Sequence, residues 1–318
     1  MSLVPGPPSV QASSPPRVPE VTPPASRLAP EVPDSPPPDL RYRRHLRLAE
    51  ALRQLYRAAG LIRSLTEREL RVRYKQAHLG AAWALLSPAL LMVVFTLLIG
   101  RGVLSVGTGG KPAYLFSYVA LVPWMFFATS LSQGGISLVT NLYLVNKIYC
   151  PREVFPLTSV LVAGFDALVA SLLLLVLFPV GHSLPAGSTI WLPLLLLVEV
   201  IFTIGVTLFV SAVVVYFRDL RHLLPVIVQF GLFATPVMYT MTSQPGHRTT
   251  SPIPRSLLDL YSVINPLGPI IDSIRRVVLF GQSPEWSYVG IAAATSLAVL
   301  VVGYWTFKSL EAGIADVA

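Results

Sequence analysis

The sequence predicts an all-helical membrane protein with six transmembrane helices, an N-terminal amphipathic helix in the membrane surface and short re-entrant helices. Two observations support this fold class. The 318 residues are 53% hydrophobic and only 13% charged, whereas about one quarter of the residues of soluble domains are charged. In addition, six apolar segments each approach 20 residues, which is enough for a helix to cross the roughly 30 Å hydrocarbon layer.

The six predicted spans are apolar runs that end at charged or turn-forming residues. They cover residues 79–99, 115–139, 156–180, 190–215, 223–241 and 288–307. Together with their loops they form a single membrane domain, residues 79–318. This domain leaves no room for a second soluble domain of ordinary size.

One further apolar stretch, residues 260–280, does not fit a simple span. It contains Asn265-Pro266, Asp272, Arg275 and Arg276, and charged side chains are costly against lipid. Irregular backbone at membrane depth is tolerated only where protein or water surrounds it. We therefore predict two short re-entrant helices that enter from the outer face between spans five and six.

The segment before the first span divides into two parts. Residues 1–40 hold thirteen of the 29 prolines and no aromatic residue, which predicts a disordered, cytoplasmic, proline-rich tail. Residues 41–78 form a basic region whose apolar positions recur at helical spacing, at Leu48, Leu52, Leu55, Ala59 and Ile62. We predict an amphipathic helix bound to anionic membrane lipids; a solvated basic helix on a partner protein is the alternative.

The positive charges are distributed unequally between the two sides of the predicted topology. Most of the 24 Lys and Arg residues fall before the first span or in the loops on the same side as the N-terminus. The positive-inside rule then predicts a multi-pass protein of the plasma membrane with both termini in the cytoplasm. We expect lipid headgroups rather than nucleic acid to meet the basic region.

The sequence offers no constellation for catalysis, metal binding or nucleotide binding. The Gly109-Gly110-Lys111 sequence lacks the earlier glycine and the following Ser or Thr of a phosphate loop. The five histidines have no spacing typical of a metal site; they are His45, His78, His182, His222 and His247. We therefore predict a protein that is not an enzyme and binds no metal or cofactor of its own.

Two carboxylates lie within predicted spans, Asp166 in the third and Glu199 in the fourth. Ionisable groups inside a membrane are candidates for function, and a proton-coupled carrier would use them. They can also fasten one helix to another as hydrogen-bonded groups. The sequence leaves both interpretations open.

Several separated motifs resemble those of the membrane subunit of type-2 ABC exporters for polysaccharides, the O-antigen and teichoic-acid export permeases. The resemblance extends from about residue 65 to the C-terminus. Its motifs are RVRYKQ at 71–76, LG at 79–80, Trp83, LSP at 86–88, NKIYCPREVFP at 146–156, YFRDL at 216–220, PVMY at 236–239, NP at 265–266 and the pair Arg275-Arg276.

The resemblance implies a homodimer of six-span subunits joined to two copies of a separate ATPase, which would hold the ATP and magnesium. It also implies export of a glycan linked to polyprenyl diphosphate, such as an O-antigen, a teichoic acid or a galactan-like chain. A drug or lipid exporter of the same ABC class is the nearest alternative. An ion-coupled carrier or a membrane-bound glycosyltransferase is more remote.

The loop between spans two and three is predicted to contact the ATPase. Pro151 suits the first position of a short helix, where its missing N–H costs nothing, and Glu153 complements the positive helix start. Pro156 would close this helix and open the third span. The predicted coupling residues are Asn146, Lys147, Pro151, Arg152, Glu153 and Phe155.

Two further sets of residues are assigned to the substrate. The first set, just before the first span, is Arg71, Arg73 and Lys75. These residues are predicted to recruit the carrier diphosphate, because guanidinium groups and helix N-termini favour phosphate oxygens. The alternative is that these charges only fix the topology of the chain.

The second set lines the glycan path, which aromatic rings are predicted to form through spans one, two and five. The predicted path comprises Trp124, Phe126, Phe127, Tyr239, Tyr261, Arg275 and Arg276, with Trp286 as an interface anchor.

Overall fold

A computed structural model of the chain describes residues 48–75, 80, 82–103, 107–147, 150–183, 185, 187–241 and 255–317. The predicted proline-rich tail and the first part of the basic region lie outside these residues. All regular elements of the described residues are helical, which confirms the all-helical fold class. The helices are α1 Leu48–Arg57, α2 Ala59–Lys75, α3 Ala82–Gly100, α4 Ala113–Thr140, α5 Leu142–Lys147, α6 Val154–Ser171, α7 Leu174–Val180, α8 Leu192–Tyr216, α9 Leu220–Ala234, α10 Arg255–Ile264, α11 Leu267–Arg275 and α12 Trp286–Val317.

Within the described part of the chain, five helical segments are long and apolar enough to cross a membrane. They are Ala82–Gly100, Ala113–Thr140, Val154–Val180, Gly187–Tyr216 and Trp286–Glu311, and they match predicted spans one to four and six. The predicted fifth span contains α9, whose 15 residues rise only about 22 Å. A sixth crossing therefore stays a prediction.

The two segments predicted to lie partly in the membrane are both helical in the structure. The described part of the basic region, residues 48–75, forms α1 and α2, and the predicted re-entrant segment contributes to α10 and α11, which meet at Asn265 and Pro266. A short turn with wider π-helical geometry, Arg276–Phe280, follows α11. The position of these four helices relative to the bilayer stays a prediction.

Helix α4 is the centre of the described bundle. Most of its residues are buried, because α3, α6, α8, α9 and α11 all pack against it. The rings of Trp124 and Phe127 lie 5.7 Å apart, and Phe127 stacks on Phe202 of α8 at the same distance. The side chains of α9 are mostly exposed, and those of α3 are exposed or half-buried except for Pro88 and Phe95, so these two helices present apolar surface to lipid or to another subunit.

Helices α8 and α12 approach each other so closely that their backbones touch. A Cβ atom added at Gly303 would lie 2.2 Å from the carbonyl oxygen of Gly205, and one added at Gly205 would lie 2.7 Å from the backbone of Leu300. Small residues allow this approach, which strengthens packing between helices where lipid replaces water as the solvent. The pair α8–α12 is therefore held by direct backbone contact.

Candidate functional site

The loop predicted to contact the ATPase leads from α4 through α5 into α6. Asn146 and Lys147 belong to α5, whereas Pro151 and Arg152 form the turn that begins α6. The predicted helix between Pro151 and Pro156 is not a separate element, because α6 already starts at Val154 and includes Pro156 in its first turn. Proline is tolerated there because the first N–H groups of a helix have no intrahelical partner.

Glu153 points away from solvent and forms an ion pair with the C-terminal helix. Its residue exposure is 2%, and its carboxylate lies 2.5 Å from Lys308 Nζ of α12. Lys308 also contacts the carboxylate of Glu311 at 2.8 Å. The Tyr304 hydroxyl donates a long hydrogen bond, 3.5 Å, to Glu153, so one buried carboxylate of the loop is held by two side chains of α12.

The neighbouring residues strengthen the attachment of the loop to α12. Arg152 donates a hydrogen bond to the backbone carbonyl of Glu311. Phe155 is buried in an apolar cluster that includes Phe307 of α12 and Leu208 of α8. Arg152, Glu153 and Phe155 thus hold the loop in place from within the chain, and the contact of the loop with an ATPase stays a prediction.

Arg73, one of the predicted carrier-binding residues, is engaged within the chain. It donates hydrogen bonds to Asp166 of α6, at 2.5 Å, and to Gln133 of α4. Tyr74 donates to the other carboxylate oxygen of Asp166. Burial, followed by this bond to Asp166, raises the pKa of Tyr74 to about 12, so the phenol keeps its proton at neutral pH and remains a donor.

The sequence leaves open whether Asp166 is functional or fastens one helix to another, and the contacts of its carboxylate support the second role. Its carboxylate fastens α2 to α6, with a cation and a phenol as partners.

Arg71 and Lys75, in contrast to Arg73, are exposed and make no ion pair with any described residue. Together with Ser64, Glu67, Arg68 and Val72, they line a surface cavity of about 420 Å³. Of the three predicted carrier-binding residues, only these two are free to meet an anion.

Arg275 lies at the centre of a buried cluster on the opposite side of the bundle. Its guanidinium donates hydrogen bonds to the carbonyl oxygens of Pro236, Val237 and Tyr239, at 3.1, 2.7 and 2.8 Å. Its Cζ lies 4.0 Å from the centre of the Phe116 ring. Arg275 therefore holds the turn that follows α9, and it does not line an open path in this conformation.

The other predicted glycan-path residues fall into two groups. Trp124, Phe126 and Phe127 are buried in the core, with exposures of 3, 8 and 8%. Tyr239 and Tyr261 are partly exposed, and both hydroxyls donate to the carbonyl of Ala234 at the end of α9. The structure thus gathers the two tyrosines around the end of α9. Of the three α4 rings, Phe126 lines an apolar groove between α4, α6 and α8, whereas Trp124 and Phe127 do not.

The remaining predicted residues lie at the edge of this region. Arg276 forms an ion pair with Glu285 at 2.9 Å. Trp286 is 46% exposed and packs edge-on against Trp191, with ring centres 4.8 Å apart. An exposed pair of indole rings at the ends of two apolar helices fits the predicted anchor at a membrane interface.

Glu199 lies in the wall of a long apolar groove between α4, α6 and α8. The groove has a volume of about 1100 Å³ and extends from Ile62 of α2 to Pro185 and Thr189. Glu199 itself is fully buried, and neither carboxylate oxygen has a hydrogen-bond partner among the described residues. An ionisable group without a partner is costly in such surroundings, which makes Glu199 a candidate for function.

Sequence reasoning missed the partners of these groups. Gln133, Tyr304, Lys308 and the backbone of Glu311 each bond a predicted residue, yet none of them belongs to a recognisable motif. A weak signal existed for Lys308, because it ends the last apolar span and is followed three residues later by Glu311. No group of three or more His, Cys, Asp or Glu residues suited to a metal is present in the described residues.

Comparison with known proteins connects this arrangement to membrane transport. The sequence model of a family described as "ABC-2 type transporter" matches residues 60–279. An O-antigen export system permease protein, RfbA, of Myxococcus xanthus is 30% identical over 266 residues, which cover 83% of this chain and 98% of that protein. An RfbA permease of Klebsiella pneumoniae is 28% identical, with coverage of 80% and 93%. The polysialic acid transport protein KpsM of Escherichia coli is 23% identical, with coverage of 79% and 93%.

Proposed function

This chain belongs to the ABC-2 type transporter family, and from that premise we propose that it is the membrane subunit of a polysaccharide exporter. The observation that carries the proposal is the similarity to O-antigen export permeases over nearly their entire length. Several long apolar helices suit a protein that encloses a path through the bilayer. The transported molecule is a glycan linked to polyprenyl diphosphate, and the energy comes from a separate ATPase subunit.

In this proposal the subunit acts as a homodimer in the plasma membrane, with both termini in the cytoplasm. The apolar surfaces of α3 and α9 support a contact with a second copy, because Val93, Leu97, Val226, Phe230 and Phe233 are all exposed. Large exposed apolar patches mark surfaces that meet lipid or protein. Facing pairs of α3 and α9 would enclose the path, and the α10–α11 pair would shape its outer end.

A second candidate, a lipid exporter of the same ABC class, is favoured by the groove that contains Glu199. The groove is almost entirely apolar and large enough for lipid chains. An apolar groove suits an acyl chain better than a hydrated glycan, because buried sugar hydroxyls would lack hydrogen-bond partners. The choice between these two candidates depends on the molecule that crosses the membrane.

A reconstituted system tests the proposal. The chain is co-purified with its ABC ATPase and placed in vesicles that contain the host's lipid-linked glycan and a fluorescent phospholipid. We expect ATP to drive the glycan, detected by a lectin, to the opposite leaflet, and we expect the phospholipid to stay in place. The matched control replaces the ATPase by a variant that cannot hydrolyse ATP, which should abolish transfer.

Two outcomes would contradict the proposed function. Movement of the phospholipid without the glycan would favour the lipid exporter. Transfer by this chain alone, driven by an ion gradient, would favour a carrier and direct attention to Glu199. Neither result is compatible with a permease that depends on an ATPase for its energy.

The structure also separates the three predicted carrier-binding residues. We expect the double variant Arg71→Glu/Lys75→Glu to weaken binding of a polyprenyl diphosphate by about tenfold or more, because each basic group near an anionic headgroup contributes about 1 kcal/mol. Binding is measured with the folded dimer in nanodiscs. The comparison variant is Arg73→Gln, since the side chain of Arg73 is engaged within the chain. Its main effect should be on stability, as a lower melting temperature, because it removes a partner of Asp166. Unchanged binding in the double variant would assign Arg71 and Lys75 a topological role.

A further inference from the structure

We infer that α12 is a rod that carries motion of the α4–α6 loop to the α10–α11 pair, and that the Glu153–Lys308 ion pair attaches the loop to this rod. The inference rests on the proposed function, in which an ATPase presses on the loop. The loop is covalently joined only to α4 and α6. The ion pair adds a third connection, to a helix that is distant in the sequence.

The attachment combines charge, hydrogen bonds and apolar packing. Lys308 lies within 2.5 Å of Glu153 and 2.8 Å of Glu311, and its side chain is only 15% exposed. Salt screens such sheltered pairs much less than exposed ones. The Tyr216 hydroxyl of α8 donates to the carbonyl of Leu310 at 2.8 Å, so the end of α12 is held from two directions.

The rod is long and stiff enough to connect the two ends of the bundle. Helix α12 has 32 residues, which correspond to about 48 Å. Its middle is pressed against α8 through the backbone contact of Gly303 with Gly205. Because these two helices touch backbone to backbone, little side-chain rearrangement is available to absorb a displacement between them.

The far end of the rod reaches the helices that shape the predicted exit. Val289 and Ala292 of α12 share a buried apolar cluster with Ile270 and Ile274 of α11, and α10 also packs against α12. The last residue of α11, Arg275, holds the turn after α9 through three carbonyl groups. A displacement at Lys308 therefore has a continuous series of packed contacts that leads to the end of α9.

This arrangement assigns Glu153 and Lys308 as positioning residues. Neither needs to touch the glycan or the ATP. Their effect is to set how much of the movement of the loop reaches the outer side. Loss of the pair should therefore reduce export per ATP hydrolysed, and it should leave ATPase binding and hydrolysis nearly intact.

The test uses the complete complex of this chain with its ATPase in vesicles. The main variant is Glu153→Gln/Lys308→Gln, which removes the ion pair without leaving the carboxylate of Glu153, the least exposed of the three charged groups, unpaired. It leaves only Glu311 without its cation, and the side chain of Glu311 is 22% exposed. We expect an assembled complex with ATP hydrolysis near the wild-type rate and glycan export per ATP lowered about fivefold or more, in the range of typical coupling energies. The charge swap Glu153→Lys/Lys308→Glu keeps one cation beside two carboxylates and should restore most of the export per ATP.

A matched control is available in the exposed ion pair of Arg63 with Glu67 on α2, at 2.9 Å. Arg63→Gln should leave export per ATP unchanged, because an exposed pair contributes little. Wild-type export per ATP in the double glutamine variant would overturn the inference, as would a charge swap no better than that variant. If the wild-type complex itself shows no ATP-driven glycan export, the proposed function fails instead, and the two failures are thereby distinguished.

Discussion

Replacement of Arg275 by methionine is expected to lower the free energy of unfolding by about 3–5 kcal/mol, as is typical when one partner of a buried charged network is removed. The guanidinium is fully buried and supplies the donors for three carbonyl groups of residues 236, 237 and 239. Without it, these acceptors stay buried with no donor, and each unsatisfied group costs about 1–3 kcal/mol. The measurement is thermal or chemical unfolding of the purified protein in nanodiscs.

The adjacent arginine provides the control for this prediction. Arg276 pairs with Glu285, and the two side chains are 14% and 43% exposed, so this site is less completely sheltered from water than that of Arg275, and Arg276→Gln should cost less than Arg275→Met. Arg275→Lys should give an intermediate loss, because an ammonium group cannot reproduce the planar set of guanidinium donors. Equal losses for Arg275→Met and Arg276→Gln would show that the bonds to the turn after α9 do not stabilise the fold.

A stable fold in the Arg275→Met variant would also change the interpretation of the glycan path. In the structure, Arg275 joins α11 to the end of α9 and touches the ring of Phe116. This position accounts for the arginine without any contact with sugar. If the variant folds normally but exports poorly, Arg275 instead acts on the glycan in a conformation different from the described one.

Substitution of Gly303 by alanine is the second change with a large expected effect. The added Cβ would lie 2.2 Å from the Gly205 carbonyl oxygen, so α8 and α12 would have to separate. Such overpacking typically costs about 1–3 kcal/mol and sometimes more. We expect a clear fall in the melting temperature, together with less folded protein in the membrane, measured by fluorescence-detected size-exclusion chromatography.

Gly290 is the matched control on the same helix. No atom lies within 4 Å of a Cβ added there, and alanine favours a helix by about 1 kcal/mol over glycine. Gly290→Ala should therefore be neutral or slightly stabilising. A Gly303→Ala variant as stable as Gly290→Ala would show that the backbone contact between α8 and α12 is not required for the fold.

Much of the fold could be predicted from the sequence, because the signals involved are local. A run of about 20 apolar residues indicates a span wherever it occurs, and five of the six predicted spans coincide with long apolar helices. The basic region and the segment around Asn265 were likewise recognisable as short helices. The fifth predicted span differs because α9 ends at Ala234. Two tyrosine hydroxyls donate to the carbonyl of Ala234, and Arg275 donates to carbonyl groups of the chain that follows.

The candidate site was predictable only as a set of residue types. Arg73, Glu153 and Arg275 were all marked as functional by charge and motif, yet each is bonded within the chain. Nothing in the sequence near Arg73 indicates that its carboxylate partner is 93 residues away. The same holds for Arg275, whose carbonyl partners are 36 to 39 residues away.

The sequence by itself determined that this protein is helical, crosses a membrane and shares its motifs with polysaccharide export permeases. Hydropathy, helical spacing and motifs are properties of residues that are close together in the sequence. The tertiary structure alone decided which charges are engaged within the chain and which are free. It also decided that α12 meets the α4–α6 loop. The physical reason is that burying a charge requires a partner, and folding supplies that partner from any distance along the chain.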